Sequence, residues 1–201
     1  RRTPIGTNDI DKLYSVIPQL SESKYVQHRT KIMLKLLEIT GARSGEIAKL
    51  KIKDIEVVFS QEKPMLKMVT LKRRNGEEIR YVHVEHLDIK EVITFIKVYR
   101  SKIIRETVGK NDDNGFLFIN ERNGKPVLAA TISNEIIKLR DLAGISVQTC
   151  AHMFRHRYIT NLFVKLIKQY DLENQDDFRN ALLDINSLKV HIQQATGHKD
   201  I

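Results

Sequence analysis

One stretch of strand-like sequence, set in a chain otherwise patterned for helices, limits the possible folds most strongly. Residues 55–59, 65–71 and 79–84 are rich in β-branched and other apolar residues. Asn75-Gly76 separates the second segment from the third, and this pair favours a tight hairpin turn because both residues tolerate positive φ angles. The stretch therefore predicts a small three-stranded antiparallel sheet.

Helical patterns lie on both sides of this predicted sheet. Before it, apolar residues recur every three or four positions, Gly41 is placed to end a helix, and Ser44 can cap the next one. The helices are predicted over residues 11–20, 23–39, a short segment from 44, 87–107, 131–143, 150–170, 176–183 and 187–195. The chain is thus predicted to be mainly α with a small antiparallel β-sheet, and residues 1–201 to form one domain.

The charge balance indicates the kind of partner. The 201 residues contain 34 Lys and Arg against 25 Asp and Glu, a formal net charge of +9. A surplus of this size favours a polyanion, most commonly nucleic acid. Cys150 is the only cysteine, so the sequence excludes an intrachain disulfide. With no apolar run long enough to cross a bilayer, we predict an intracellular protein that does not contact membranes.

Four short segments contain the residue types of a phosphate-handling site. They are TGARSGEI (residues 40–47), KRR (72–74), AHMFRHRY (151–158) and ATGHKD (195–200). The first follows a glycine-ended helix, the second precedes the hairpin turn, and the third begins a predicted helix. Each segment alone is weak, because His-x-x-Arg arises often by chance. Their order along the chain is far more specific.

This ordered set resembles the signature of the tyrosine recombinases, the phage-type integrases that cut and rejoin DNA. In that family the first box reads Thr-Gly-x-Arg-x-x-Glu, a hairpin lysine follows, and the later boxes read His-x-x-Arg and Gly-His. The matching residues are Arg43 with Glu46, Lys72, His152 with Arg155, and His198. The resemblance covers nearly the whole chain and implies the catalytic-domain fold of that family.

The resemblance also implies a role for each residue. Arg43 and Arg155 would hold the charge that builds on the phosphate oxygens, since arginine keeps its proton and donates paired hydrogen bonds. Lys72 would be the general acid that protonates the leaving 5′-oxygen. His152 and His198 would hydrogen-bond the phosphate or assist proton movement around it. In this scheme Glu46 supports the clamp, and neither a metal nor another cofactor is needed.

Several alternatives remain open at the level of sequence. Arg43 could simply pair with Glu46 on an exposed turn, and Arg73, Arg74 or Lys67 could take the place assigned to Lys72. The His152 and His156 pair has the i, i+4 spacing of zinc ligands. However, Met153 stands where the metalloprotease motif has its glutamate, which disfavours zinc.

The resemblance also predicts where the nucleophile lies. In the family a tyrosine follows the Gly-His box by about ten residues, whereas this chain reaches only Ile201. We therefore expect the tyrosine beyond Ile201 and a core-binding domain upstream of Arg1, so that the given chain binds double-stranded DNA without cleaving it. A full-length protein is expected to act as a homotetramer on paired DNA sites, in the cytoplasm. The alternatives are a catalytically silent DNA-binding relative, a type IB topoisomerase and a metal-dependent nuclease.

Overall fold

The computed structural model describes residues 4–72, 76–168, 174–177, 179–180, 182–183 and 190; within these, the side chains of 71, 72, 76, 77, 166 and 167 are not described. Over this part, helices surround one β-hairpin and share one hydrophobic core. The elements in order are α1 (Thr7–Ser15), α2 (Ile17–Leu20), α3 (Lys24–Thr40), α4 (Ser44–Ala48), α5 (Ile52–Phe59), β1 (Met65–Lys72), β2 (Gly76–His83), α6 (His86–Phe95), a π-helical segment (Ile96–Arg100), α7 (Ser101–Glu106), a 3-10 turn (Lys110–Asp112), α8 (Ala129–Leu142) and α9 (Ala151–Ile167).

Helix α3 lies at the centre of the fold. It packs against α2, α4, α6 and α9, and its core side chains Leu34, Leu36 and Leu37 are fully buried. The predicted ends are confirmed: the Ser23 hydroxyl accepts a hydrogen bond from the Val26 backbone at 3.3 Å, and Gly41 ends the helix with a φ of 57°. Positive φ is easily adopted by glycine, so the chain can leave α3 sharply at this point.

The β-hairpin is confirmed, but the prediction of a third strand is wrong. Strands β1 and β2 pair antiparallel in a two-stranded sheet, with Leu66 opposite Val82 and Lys72 opposite Gly76. Residues 55–59, predicted as the first strand, belong to helix α5. Ile55 and Val58, three positions apart, are buried there whereas Val57 is exposed. That spacing is helical, but an apolar run this short does not distinguish strand from helix by itself.

Two further sequence predictions are modified by the structure. Arg43, rather than Ser44, is the residue that precedes the first turn of α4, and Ser44 is the first helical residue. The helix predicted over 87–107 is interrupted by the π-helical segment, whose wider turn adds a residue. Arg100, at the end of that segment, is buried and donates to the Phe116 carbonyl at 2.7 Å. The fold thus keeps the predicted helical order as far as α9 while changing its local geometry; of the helices predicted over 176–183 and 187–195, the first lies partly and the second almost wholly outside the described residues.

A close contact between α3 and α9 predicts a strong effect of mutating Gly41. A Cβ atom on Gly41 would lie 2.6 Å from the Tyr158 ring. We therefore expect Gly41→Ala to lower the free energy of unfolding by about 1–3 kcal/mol, because it combines an unfavourable φ with a clash. The measurement is urea unfolding followed by circular dichroism.

Gly45→Ala is the matched control. Gly45 is exposed in α4, and a Cβ there would meet nothing within 4 Å. We expect this change to be neutral or to raise the free energy of unfolding by up to about 1 kcal/mol. Equal effects of the two substitutions would contradict the importance of the contact between Gly41 and Tyr158.

Candidate active site

A buried glutamate connects the elements around the first sequence box. The carboxylate of Glu46, in α4, accepts four hydrogen bonds. Oε1 accepts from Arg80 Nε at 2.9 Å and from the Thr70 hydroxyl, and Oε2 accepts from Arg80 Nη2 at 3.1 Å and from the Arg43 backbone N–H at 2.7 Å. The side chain is only 1% exposed. Glu46 therefore ties α4 to both strands of the hairpin.

The surroundings of Glu46 keep it ionised. Burial alone raises the pKa of the carboxyl, but the hydrogen bonds from Arg80, its charge, and the hydrogen bonds from Thr70 and the Arg43 backbone outweigh burial. The net effect lowers the pKa of Glu46 from 4.5 to about 2. A carboxylate that accepts several donors beside a cation follows this rule. Glu46 is therefore a fixed negative charge at neutral pH.

Arg80 is the residue of this site that the sequence reasoning did not identify. It is 5% exposed, bonds both oxygens of Glu46, and directs Nη1 and Nη2 at the Thr40 carbonyl from 3.4 and 3.5 Å. A signal was present in the sequence. Successive side chains of a strand point to opposite faces, so Arg80 lies on the same face as Val82 and Val84, two and four positions later. Both valines are buried, so this pattern places Arg80 on the buried face. A charged residue at a core position needs a buried partner.

Arg155 reaches the same cluster from helix α9. It is 1% exposed, and its Nη1 donates to the Gly41 carbonyl at 3.0 Å. The same nitrogen lies 3.9 Å from Oε2 of Glu46. Burial, with Arg43 and Arg80 nearby, lowers the pKa of Arg155 to about 9, so the side chain remains protonated at neutral pH.

Arg43, Arg80 and Arg155 thus lie in one cluster with Glu46, and this cluster is the candidate site. Arg43 is half-buried at the start of α4, while Arg80 and Arg155 are buried. Three positive charges against Glu46 leave a net charge of +2. An excess of positive charge with low exposure favours an anion. The alternative of an isolated pair between Arg43 and Glu46 on an exposed turn is not supported by this geometry.

Of the other predicted residues, the structure describes His152 fully, only the backbone of Lys72, and nothing of His198. His152 lies on α9 three residues before Arg155, is half-buried, and meets the ring of His156 edge-on at 4.3 Å between centroids. Lys72 is the last residue of β1, two positions beyond Thr70, and its side chain lies outside the described part of the structure. His198 lies outside the described residues. The structure therefore brings together Arg43, Glu46 and Arg155 and leaves the positions of Lys72 and His198 as predictions.

The described residues contain no group of three His, Cys, Asp or Glu side chains arranged to hold a metal ion. Among the described residues, His152 and His156 are therefore not joined by a third side chain that could complete a zinc site. Nothing in this part of the chain favours the zinc alternative.

A second basic feature lies beside the hairpin, in a cleft between the end of α4, the start of α5 and strand β1. We call it the lysine cleft; its lining residues are Lys49, Lys51, Lys53, Asp54, Lys67, Val69 and Phe116. Lys51 Nζ lies 5.0 Å from the centroid of the Phe116 ring, a cation–π contact that orients the ammonium group. Four lysines and one aspartate make the cleft strongly positive.

Comparison with known proteins identifies the family. The sequence model of the phage integrase family matches residues 5–180. The chain belongs to the phage integrase family. This membership agrees with the sequence resemblance: Arg43 and Glu46 of the cluster come from the segment at residues 40–47, and Arg155 comes from the segment at residues 151–158.

Relatives and solved structures within the family match almost all of the chain. Tyrosine recombinase XerH of Helicobacter pylori is 27% identical over 199 residues, covering 96% of this chain and 49% of the relative. Tyrosine recombinase XerC of Lactobacillus delbrueckii subsp. bulgaricus is 24% identical over 191 residues, covering 95% of this chain and 54% of the relative. The chain therefore spans about half the length of the curated relatives it matches.

The fold comparison gives the same result. The crystal structure of XerH bound to difH substrate, a pre-cleavage complex, matches with a TM-score of 0.63 at 25% identity, over 98% of this chain and 47% of that chain. The crystal structure of XerA recombinase matches with a TM-score of 0.59 at 20% identity, over 98% of this chain and 57% of that chain. The mainly helical architecture with a small antiparallel sheet is thus that of tyrosine recombinases. Among the described residues of this family member, no helix combines the length and apolar character needed to cross a membrane.

The lowered pKa of Glu46 predicts how stability depends on pH. Because folding lowers this pKa from 4.5 to about 2, the ionised carboxylate stabilises the fold above pH 4.5, and this contribution is lost as the pH falls from 4.5 towards 2. The shift corresponds to about 3 kcal/mol, of which roughly 1.4 kcal/mol is lost by about pH 3.5.

Urea unfolding of the wild type and of Glu46→Gln at about pH 6 and pH 3.5 measures this contribution. We expect the free energy of unfolding of the wild type to fall by roughly 1.4 kcal/mol more than that of the variant, which cannot titrate at this position. Parallel decreases in the two proteins would show that Glu46 is not the ionised partner of Arg80.

Proposed function

We propose that this chain is the catalytic domain of a site-specific DNA recombinase that cleaves and rejoins strands through a 3′-phosphotyrosyl bond. The observation that carries the proposal is the buried cluster of Arg43, Arg80 and Arg155 around Glu46, with its net positive charge. The relatives XerH and XerC, which are tyrosine recombinases, support it. The solved XerH complex with difH substrate supports double-stranded DNA as the partner.

In the proposed reaction a tyrosine oxygen attacks the scissile phosphorus and the bond to the 5′-oxygen breaks. Negative charge grows on the two non-bridging oxygens, and Arg43 and Arg155 bind these oxygens through their paired N–H groups. His152 and His198 hydrogen-bond the same phosphate. Attack by a 5′-hydroxyl of another strand then reverses the step, so the bond energy is kept and no high-energy cofactor is consumed.

Lys72 is proposed to donate the proton that the departing 5′-oxygen needs. Its place at the end of β1, two residues after the Thr70 hydroxyl that donates to Glu46, puts its backbone at the margin of the arginine cluster. The arginines supply the positive charge that a divalent metal provides in other nucleases, so the proposed reaction uses none.

A full-length protein is proposed to act as a homotetramer that pairs two DNA sites. The compartment is proposed to be the cytoplasm of a prokaryotic cell, where such DNA sites are found.

The nucleophile is proposed to follow the Gly197-His198 pair, as in the family signature. Tyr158 and Tyr170 are the last tyrosines of the sequence, and both precede that pair. Tyr158 is half-buried against Gly41 and burial raises its pKa, which disfavours the phenolate needed for attack. Cleavage therefore has to be tested with the product of the complete gene.

The decisive experiment looks for a covalent complex between that protein and DNA. The complete gene product is incubated with duplex DNA from the flanks of its own gene, and adducts that survive SDS are resolved by electrophoresis. We expect an adduct with the complete protein, none with the 201-residue chain, and DNA binding by both in fluorescence anisotropy.

Arg155→Ala in the complete protein serves as the control for chemistry. We expect this variant to form the adduct at least about 100-fold more slowly while keeping most of its DNA affinity. One preorganised donor to a developing oxyanion contributes about that much to the rate. Binding by the wild type without any adduct on this or related DNA sites would favour a silent relative. Cleavage without sequence preference would favour a topoisomerase.

The lysine cleft is proposed to bind the DNA backbone near the active site. Lys49 and Arg43 flank the two ends of α4, so the cleft begins next to the arginine cluster. Lys51 is oriented over Phe116, so its charge is presented at the cleft with less loss of side-chain freedom. Such contacts position DNA without reading its sequence.

Salt dependence of DNA binding tests the role of the lysine cleft. Lys51→Gln and Lys53→Gln should each reduce the slope of log affinity against log salt by about 1, because each removed phosphate contact releases one counterion fewer. Lys102→Gln, on α7 and outside the cleft, removes the same charge and should leave the slope unchanged. The same slope change in all three variants would indicate a general effect of net charge.

A further inference from the structure

We propose that Arg80 is a positioning residue: by occupying both oxygens of Glu46 it keeps Arg155 from pairing with Glu46, so that Arg155 can act with Arg43 on a phosphate. This inference rests on the proposed function and names a residue outside the recombinase boxes. It assigns to Arg80 no contact with DNA.

The acceptor capacity of Glu46 is completely used. An ionised carboxylate offers about four lone-pair positions. Arg80 fills one on each oxygen, Thr70 fills the second position on Oε1, and the Arg43 backbone fills the second on Oε2. The guanidinium groups of Arg43 and Arg155 therefore find no vacant position on this carboxylate. Two of the four bonds come from Arg80 alone.

Arg155 also lies close to the Glu46 carboxylate, but it does not hydrogen-bond it. Its Nη1 is 3.9 Å from Oε2 of Glu46, too far for a hydrogen bond, and donates instead to the Gly41 carbonyl at 3.0 Å. Loss of Arg80 would vacate one position on each oxygen of Glu46. In a site this buried, a carboxylate with vacant positions attracts the nearest cation strongly. Arg155 would then close the gap and turn towards Glu46.

The charge of the cluster explains why this movement matters. With Arg80 present, three arginines and one glutamate leave +2, which matches the two negative charges that a phosphodiester approaches in its transition state. Without Arg80, the surplus falls to +1, and Arg155 is also drawn towards Glu46. The phosphate then loses both charge and a paired donor. The defect should therefore depend on the charge of the phosphate itself.

A purely structural role is the alternative, and another arginine provides the comparison. Arg100 is 2% exposed and bonds Asp113 with both Nη atoms at 2.7 and 2.6 Å, which is a fork like that of Arg80 on Glu46. Among the described residues, the Asp113 carboxylate accepts hydrogen bonds from Arg100 and from the Gly115 backbone, and the fork stabilises a loop. Arg100→Gln is therefore a matched control for loss of a buried fork away from the arginine cluster.

The experiment compares single-turnover cleavage by the complete gene product on two substrates at saturating DNA. One carries the normal phosphodiester, and the other carries a neutral methylphosphonate at the scissile position. The variants are Arg80→Gln, Arg80→Lys, the double variant Glu46→Gln with Arg80→Gln, and Arg100→Gln. Anisotropy gives the DNA affinity of each variant, and urea unfolding gives its stability.

We expect Arg80→Gln to slow cleavage of the phosphodiester by about 100-fold, the effect of one lost preorganised donor, with DNA affinity nearly unchanged. On the neutral methylphosphonate the slowing should shrink to less than about tenfold, because less charge has to be matched. The double variant should recover at least about tenfold, because a neutral amide no longer attracts Arg155. Arg80→Lys, which keeps the charge but loses the fork, should lie between the wild type and Arg80→Gln.

The inference is overturned if Arg80→Gln cleaves at the wild-type rate, if it is slowed equally on both substrates, or if Arg100→Gln shows the same dependence on substrate charge. If Arg80→Gln fails to fold, the double variant and Arg80→Lys still give the comparison.

A second measurement does not depend on cleavage. Side-chain ¹⁵N NMR of the 201-residue chain should show the Arg155 guanidinium signals shift in Arg80→Gln and return in the double variant. Unshifted signals would contradict the proposed movement even if the wild type forms an adduct. The expected shift in a protein whose wild type forms no adduct would leave the inference intact and overturn only the proposed function.

Discussion

The buried carboxylate of Glu46 is the interaction around which this domain is organised. Its four hydrogen bonds join α4 to β1 through Thr70 and to β2 through Arg80. Arg80 also donates to the carbonyl of Thr40 at the end of α3. Arg155 of α9 donates to the carbonyl of the next residue, Gly41. Glu46 and the two buried arginines thus connect three helices and the hairpin. Removing one partner of such a pair typically costs 3–5 kcal/mol, because the other charge stays buried.

The end of α3 contributes to this arrangement as much as the charges do. The last carbonyls of a helix lack partners within the helix and carry partial negative charge, so they attract cations. Here the left-handed turn at Gly41 ends α3 where Arg80 and Arg155 can reach the Thr40 and Gly41 carbonyls. The missing Cβ of Gly41 also admits the Tyr158 ring of α9. A single glycine therefore sets both the electrostatics and the spacing of the cluster.

Another buried pair differs from the Glu46 cluster in its charge balance. Arg29 of α3 and Glu135 of α8 pair one charge with one charge at the interface of two helices. The Glu46 cluster has the same kind of fork but a surplus of two positive charges. Buried surplus charge destabilises a fold unless a ligand compensates it. Under the proposed function, a bound phosphate would compensate this surplus.

The sequence alone was sufficient for much of the fold and for part of the site. The periodic helices and the hairpin were predictable because their apolar patterns extend over many residues, and Gly41 marked the end of α3. Arg43 and Arg155 were predictable from motif order. The helix at residues 52–59 was not, since eight residues with few polar positions fit either structure. Arg80 was missed because it lies between apolar residues and outside the boxes, although alternation along β2 places it inward. Its partner Glu46, 34 positions away, becomes evident only when the chain is folded.

The bond between Arg155 and the Gly41 carbonyl joins residues 114 positions apart, and this separation has a consequence for synthesis. A ribosome that has released α3, α4 and the hairpin has produced Glu46 with Arg43 and Arg80, but the third arginine is still unmade. Contacts of such long range also form late during folding, because closing a long loop is unfavourable until much of the core exists. Until Arg155 is made, the nascent chain therefore carries an incomplete cluster, with two arginines against one glutamate. The third arginine joins the cluster only when α9 docks, after the rest of the described core can already have formed.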